Sequence, residues 1–195
     1  MDQLFLKFDS IKKLSPALRA YLQSCLKRKE VKKGEIILRE GQVAKYIYFI
    51  EKGIVRSIRY KNDVEKTVWI MRKNDLCVSV RSFFSQKPAI ETVEAVQDCV
   101  LFYISFDELE KAYDDYPEFD RHGRKLLTYY YQLSEERNDM RDQPAYDKFV
   151  FLMTYYPDLV SDRKVSNKLL ASYLSISKEH FSVQKGLYAK RNKKK

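Results

Sequence analysis

The sequence predicts an α+β chain. A strand-rich first half closes as a sandwich, barrel or jelly roll, a long helix follows, and the C-terminal part is helical and basic. Three observations carry this. Short β-branched and aromatic runs alternate with turn residues between Val31 and Ser105. From Pro117 to Met140, apolar residues recur at alternating spacings of four and three. The net charge is +10, and Lys164 to Lys195 alone carries nine basic residues against one acid, Glu179.

The chain has 195 residues, enough for one large domain or two small ones. No run of about eighteen apolar residues occurs, so no membrane-spanning helix and no membrane partner is expected. The N-terminal MDQLFLKFDSIKK lacks the apolar core and small-residue cleavage site of a signal peptide, and a cytoplasmic location is expected. Cys25, Cys77 and Cys99 are odd in number and form no CxxC pair, which predicts buried free thiols. His122 and His180 lie far apart and make no ligand set, so no metal is expected. No P-loop, nucleophile elbow or HExxH motif is present, and the chain reads as a non-enzyme.

In chain order, Ser15-Pro16 opens a helix predicted over Ser15–Lys27. Strands are predicted at Glu35–Arg39, Tyr46–Glu51, Ile54–Tyr60, Glu65–Met71, Thr92–Ala95 and Val100–Ser105. Gly34, Gly41, Gly53 and Asn62-Asp63 punctuate them, with Lys61-Asn62-Asp63 as a hairpin tip. Phe106–Tyr113 is a short helix. The Pro117–Met140 helix carries Phe119, Gly123, Leu126, Tyr130, Leu133 and Met140 on one stripe, interrupted by Arg137. Such a stripe either packs on the helix's own domain or pairs with its copy in a homodimer, Gly123 then letting two backbones approach. Asp142-Gln143-Pro144 ends it. Ala145–Tyr156 is a further amphipathic helix, stopped by Pro157-Asp158, and Asp162–Val165 is expected to be a short wing strand. Ser166 or Asn167 then caps a helix to Leu174, Ser175-Ile176-Ser177 turns, and Ser177 caps a last helix from Lys178 to about Lys190. Leu170, Ala171, Leu174, Ile176 and Phe181 have the spacing of a helix-turn-helix.

VKKGEIILREGQVAKYIYFIEKGIVRSIRY is similar to the opening of the cyclic-nucleotide-binding β-roll of the Crp/Fnr transcription regulators. The resemblance continues through a cassette at about Val78–Ala89, the strand ending Tyr103-Ile104-Ser105, and the long helix. Tyr116-Pro117-Glu118-Phe119 and Gly123-Arg124 resemble the start of the dimer helix in the branch common among Bacteroidetes. The resemblance implies an α+β fold in three parts: a cyclic-nucleotide-binding-like double-stranded β-helix (jelly roll) over 1–114, a dimerisation helix over 115–142 and a DNA-binding winged helix-turn-helix over 143–195.

In that family the cassette holds a cyclic nucleotide. A glutamate takes the ribose hydroxyl, and an arginine followed by serine or threonine takes the phosphate. By the resemblance these positions fall on Ser79, Ala89 and Ile90, with Arg81 and Ser82 nearby, and the cassette's glycines are absent. These five residues are the effector-pocket candidates. Without the arginine a buried cyclic phosphate lacks its charge partner, so cyclic AMP is not expected to bind tightly and no cofactor is assigned. A cupin-type metal site is disfavoured because no histidine lies in Val31–Ser105.

The resemblance implies double-stranded DNA as partner and, further, an RNA polymerase contact. Its base-reading arginine matches Val183 here, and the mid-helix Gly186 departs from the pattern too. Ser177, Lys178, His180, Ser182, Gln184, Lys185, Lys190 and Arg191 are the DNA-binding candidates. The leading expectation is a homodimeric DNA-binding transcription regulator. The alternative is a non-enzymatic β-roll interaction or scaffold protein, which would not need so basic an end.

Overall fold

The computed structural model describes residues 1–192. Two compact units divide the chain. The first comprises Met1–Arg59 with Trp69–Tyr129, and the second comprises Tyr60–Val68 with Tyr130 onward. No helix among the described residues is long and apolar enough to cross a membrane.

Helices α1 (Asp2–Ile11) and α2 (Pro16–Cys25) precede the strands. Pro16 takes the first position of α2, where its missing N–H costs nothing, and Ser15 Oγ caps it by accepting from Leu18 N–H at 3.3 Å. The predicted helix over Ser15–Lys27 therefore ends two residues early, and Lys27 opens strand β1 (Lys27–Val31). Strands β2 (Ile36–Leu38), β3 (Tyr46–Lys52), β4 (Ile54–Lys61), β5 (Val64–Arg72) and β6 (Leu76–Cys77) follow. Helix α3 (Val80–Ser85) leads to β7 (Thr92–Ala95) and β8 (Cys99–Ser105).

The strands form two four-stranded sheets, ordered β1-β8-β3-β6 and β2-β7-β4-β5. The register sets Tyr48 opposite Tyr103 in the first sheet and Arg56 opposite Glu94 in the second. Asn62 and Asp63 both adopt positive φ, 51° and 59°, which gives the β4–β5 hairpin the backbone of a two-residue type I′ turn. Gly53 joins β3 to β4 at φ +97°, hard against the Asp98 carbonyl and the Cys99 side chain.

Alternation along the strands sorts two cores. Val31, Ile50, Val55, Val93, Cys99 and Leu101 belong to one cluster. Phe49, Phe102 and Ile104 belong to the other, with Leu4, Phe5 and Phe8 of α1 and Leu18 and Leu22 of α2. All three cysteines are free and buried. Burial pushes the Cys77 thiol up to about 12, which keeps it a neutral apolar group.

Helix α4 (Phe106–Asp115) opens with a capping box. Glu108 N–H donates to Ser105 Oγ, and Glu108 Oε2 accepts from Ser105 N–H at 2.9 Å. A 3-10 turn at Pro117–Phe119 then leads into α5 (Asp120–Arg141). In the second unit, α6 (Ala145–Tyr155) is followed at once by α7 (Pro157–Ser161), α8 (Asn167–Leu174) and α9 (Lys178–Asn192). Pro157 stops α6 as expected and also starts α7 from its first position. One expectation fails here: Asp162–Val165 is a turn rather than a wing strand. Asp162 Oδ1 accepts from Lys164 N–H at 2.8 Å and its carbonyl from Val165 N–H at 3.0 Å, so local bonds satisfy backbone that a strand would have left for a ladder.

Candidate ligand pocket and nucleic-acid interface

A cavity of about 540 Å3 opens in the roll. Ile37, Leu38, Val43, Val78 and Val93 give it apolar walls, Tyr46 and Tyr48 an aromatic one, and Lys29 and Lys45 its cations. The Tyr46, Tyr48 and Tyr103 rings pack together, with centroids 5.0 Å to 6.1 Å apart. Burial pushes the Tyr48 phenol up, so it stays a neutral donor.

Of the five pocket candidates, Ser79 alone lines this cavity. Its hydroxyl donates to Glu91 Oε1 at 2.5 Å, and Glu91 Oε2 accepts from Arg59 Nη2 at 3.0 Å. Both carboxylate oxygens therefore have partners within the chain. Ser82 is fully buried and structural: its Oγ donates to the Lys87 carbonyl at 2.5 Å and accepts from Ala44 N–H at 2.9 Å. Ala89 exchanges backbone bonds with Gly41 and Gln42, both 2.8 Å. Arg81 and Ile90 are exposed.

Sequence reasoning missed Arg59 and Glu91. A signal for them exists: Arg56 and Arg59 on β4 have the same spacing as Glu91, just before β7, and Glu94 within it. Arg56 Nε meets Glu94 Oε1 at 2.6 Å, and the outer pair repeats the match.

The stripe on α5 is accounted for within one chain. Phe119 is buried in the α1–α2–α4 core, and Leu126 packs against it. His122 is fully buried there, its Nε2 2.8 Å from the Lys12 carbonyl. Gly123 faces Tyr113 of the same chain, whose Oη would lie 2.5 Å from an added Cβ. In the second unit Met140 is buried, while Tyr130 and Leu133 are half-buried. Arg137, only 5% exposed, lays its guanidinium 4.8 Å from the Tyr173 ring centroid. Desolvation lowers its pKa, but an arginine stays charged. The apolar side chains that α5 leaves outside are others: Leu127 is 60% exposed and Tyr131, one turn on, 62%.

Helices α8 and α9 pack as the spacing required. Leu170, Ala171, Leu174 and Phe181 are buried, and Ile176 is half-buried. The Phe181 ring meets Phe149 of α6 at 5.3 Å. Ser166 Oγ caps α8 by accepting from Leu169 N–H at 3.2 Å, and Ser177 Oγ accepts from His180 N–H at 3.1 Å at the start of α9. Between them Ser175 takes the left-handed conformation at φ +54°, where a glycine would be unstrained.

Several DNA-binding candidates have local partners. Ser182 Oγ donates to the Lys178 carbonyl at 3.0 Å, Lys185 Nζ reaches the Val160 carbonyl at 3.4 Å, and Arg191 lies 4.3 Å over the Tyr146 ring. Lys178, His180 and Lys190 are exposed, and Gln184 is half-buried. The final Lys193-Lys194-Lys195 lies outside the described residues. Val183 and Leu187, which sequence reasoning did not select, are exposed on α9 at 55% and 42%.

Residues 28–116 match the cyclic nucleotide-binding domain. The chain as a whole has the fold of the Crp/Fnr regulators. FixK2 from Bradyrhizobium japonicum superposes with a TM-score of 0.75 at 17% identity, over 86% of each chain. A Crp/Fnr-family regulator from Eubacterium rectale gives 0.71 at 17% identity, over 98% of this chain and 89% of that one. CooA from Carboxydothermus hydrogenoformans gives 0.69 at 16%, over 98% and 86%. A search of curated proteins finds no match. Within the matched stretch, Ser79, Ala89 and Ile90 stand where the cassette described above would place glutamate, arginine and serine or threonine.

Proposed function

We propose that this chain is a homodimeric DNA-binding transcription regulator whose roll does not use cyclic AMP. The observation that carries the DNA reading is the α8–turn–α9 pair. Buried Phe181 fixes α9, and the helix turns its other side outward within the most basic stretch of the sequence. Lys178 and Lys190 are placed to neutralise phosphates, with His180 and Gln184 the polar groups nearest base edges. The Crp/Fnr fold of the relatives supports the same reading. Dimerisation rests on α5, whose outward Leu127 and Tyr131 suit a second copy better than its inward stripe does.

The case against cyclic AMP rests on Ser79 and Glu91. Ser79, at the ribose-binding position, already donates to a carboxylate that Arg59 holds, and a phosphate arriving in the roll finds no arginine at 89. The cavity behind Leu38 and Tyr48 is then the place for a different effector.

A gel shift of the full-length protein on the DNA upstream of its own gene, repeated across salt, tests this reading. Binding that weakens steeply with salt is expected. No shift at low salt overturns it. Titration calorimetry with cyclic AMP is expected to show no micromolar binding.

A further inference from the structure

The outward side of α9 is not uniformly polar. Val183 and Leu187 stand one helical turn apart and are both exposed, beside exposed His180, Ser182 and Lys190. Two branched apolar side chains gain nothing from water, and both keep about half of their surface exposed on the helix that Phe181 anchors. Among the described residues, the surrounding charge is basic apart from Glu179, so the complementary occupant is a polyanion. On a polyanion of that kind, the apolar group that a helix in the major groove can reach is the 5-methyl of thymine.

We propose that Val183, extended by Leu187, reads thymine methyl groups in the major groove and gives this protein a preference for thymine at the steps they touch. The inference rests on the DNA-binding reading above and adds the base it selects. Residues one turn apart are about 6 Å apart along the helix. That matches thymines one to two base steps apart, at about 3.4 Å per step. Valine has no donor or acceptor with which to read guanine. A methyl contact is the direct readout left to it. Lys178 and Lys190 bind phosphate whatever the sequence, so specificity falls to the apolar pair and its polar neighbours.

The test uses duplexes selected by the full-length protein from a random pool. Each thymine is then replaced in turn by uracil, which removes the 5-methyl and nothing else. Loss of one buried methyl contact is expected to weaken binding about fourfold at one or two positions. Val183→Ala, at an exposed site, is expected to fold normally and to bind the thymine and uracil duplexes equally. Leu187→Ala is expected to lose sensitivity at a neighbouring step. Equal wild-type binding to thymine and uracil at every position overturns the inference, as does uracil sensitivity that survives both substitutions. If the wild type binds DNA but selects no sequence, the methyl readout fails while DNA binding stands. If it binds no DNA at low salt, both fail.

Discussion

Gly123→Ala separates the two roles that the α5 stripe can have. A Cβ at 123 would lie 2.5 Å from Tyr113 Oη and 3.2 Å from its Cε1 and Cζ. Tyr113 cannot simply swing away, because its ring stacks on Phe119 at 5.2 Å and 29°. Its surroundings are dry enough to push the phenol up to about 12. Alanine gains about 1 kcal/mol over glycine inside a helix. Overpacking of this kind costs about 1–3 kcal/mol, so the expected net loss is about 1 kcal/mol. Tyr113→Phe removes the 2.5 Å contact and leaves those at 3.2 Å, which small shifts absorb. In that background the helical gain should dominate, and Gly123→Ala should become neutral or stabilising. Urea unfolding of the four proteins at one concentration gives the coupling, expected at about 1–2 kcal/mol. Effects that add to within about 0.5 kcal/mol would refute the intrachain explanation. So would a Gly123→Ala protein that unfolds like the wild type but sediments as a monomer.

Other outcomes follow from the same geometry. Gly53→Ala places a Cβ 2.5 Å from Cys99 Sγ and 2.7 Å from the Asp98 carbonyl, at a φ that side chains avoid. Strain of about 1–3 kcal/mol and overpacking of similar size predict a loss of about 2–6 kcal/mol, read from the denaturant midpoint. Burial raises the Asp75 carboxyl pKa, so the folded chain holds that proton more tightly than the unfolded chain. Its contribution favours folding below the unfolded pKa and is lost as pH rises through the folded pKa. Asp75→Asn keeps an oxygen for the Arg72 N–H, now bonded at 2.9 Å, so the wild type should lose thermal stability relative to it from acid toward neutral pH. Leu127→Glu changes a residue 60% exposed, so the monomer's stability should move by less than about 0.5 kcal/mol while sedimentation shifts toward monomer.

What was legible in the sequence was what burial writes into it. The strands with β-branched alternation were found, and so were α4, α6, α8 and α9, each marked by a cap or an apolar stripe. Strand β1 was not, because Lys27-Arg28-Lys29-Glu30 reads as solvated chain. It stands at a sheet edge, paired only with β8, where charged side chains are tolerated. Two-residue β6 is too short for any period. Helix α1 was missed because Leu4, Phe5 and Phe8 span little more than one turn. In the pocket, a resemblance to a cassette pointed to five positions, of which the cavity uses Ser79. The Glu91 carboxylate beside it, held by Arg59, left only the matched spacing of Arg56 and Arg59 with Glu91 and Glu94, which becomes a signal once β4 and β7 are known to pair.

The α5 stripe shows how far a spacing can be trusted. A four-three repeat reports that one side of a helix is covered, and it is silent on what covers it. Here Phe119 and Leu126 are covered by the roll's own helical core, and Arg137 by Tyr173. An arginine in a coiled-coil seam would be a defect, but over a tyrosine face it is a contact, so the residue that seemed to interrupt the pattern is part of it. The proposed pairing between copies therefore falls where no heptad points, at Leu127 and Tyr131. Two residues a turn apart are too few to register as a repeat, yet they are large apolar side chains that the chain leaves exposed. The same holds for Val183 and Leu187 on α9. In both helices the periodic residues build the protein, and the proposals of a partner rest on apolar residues that break the period.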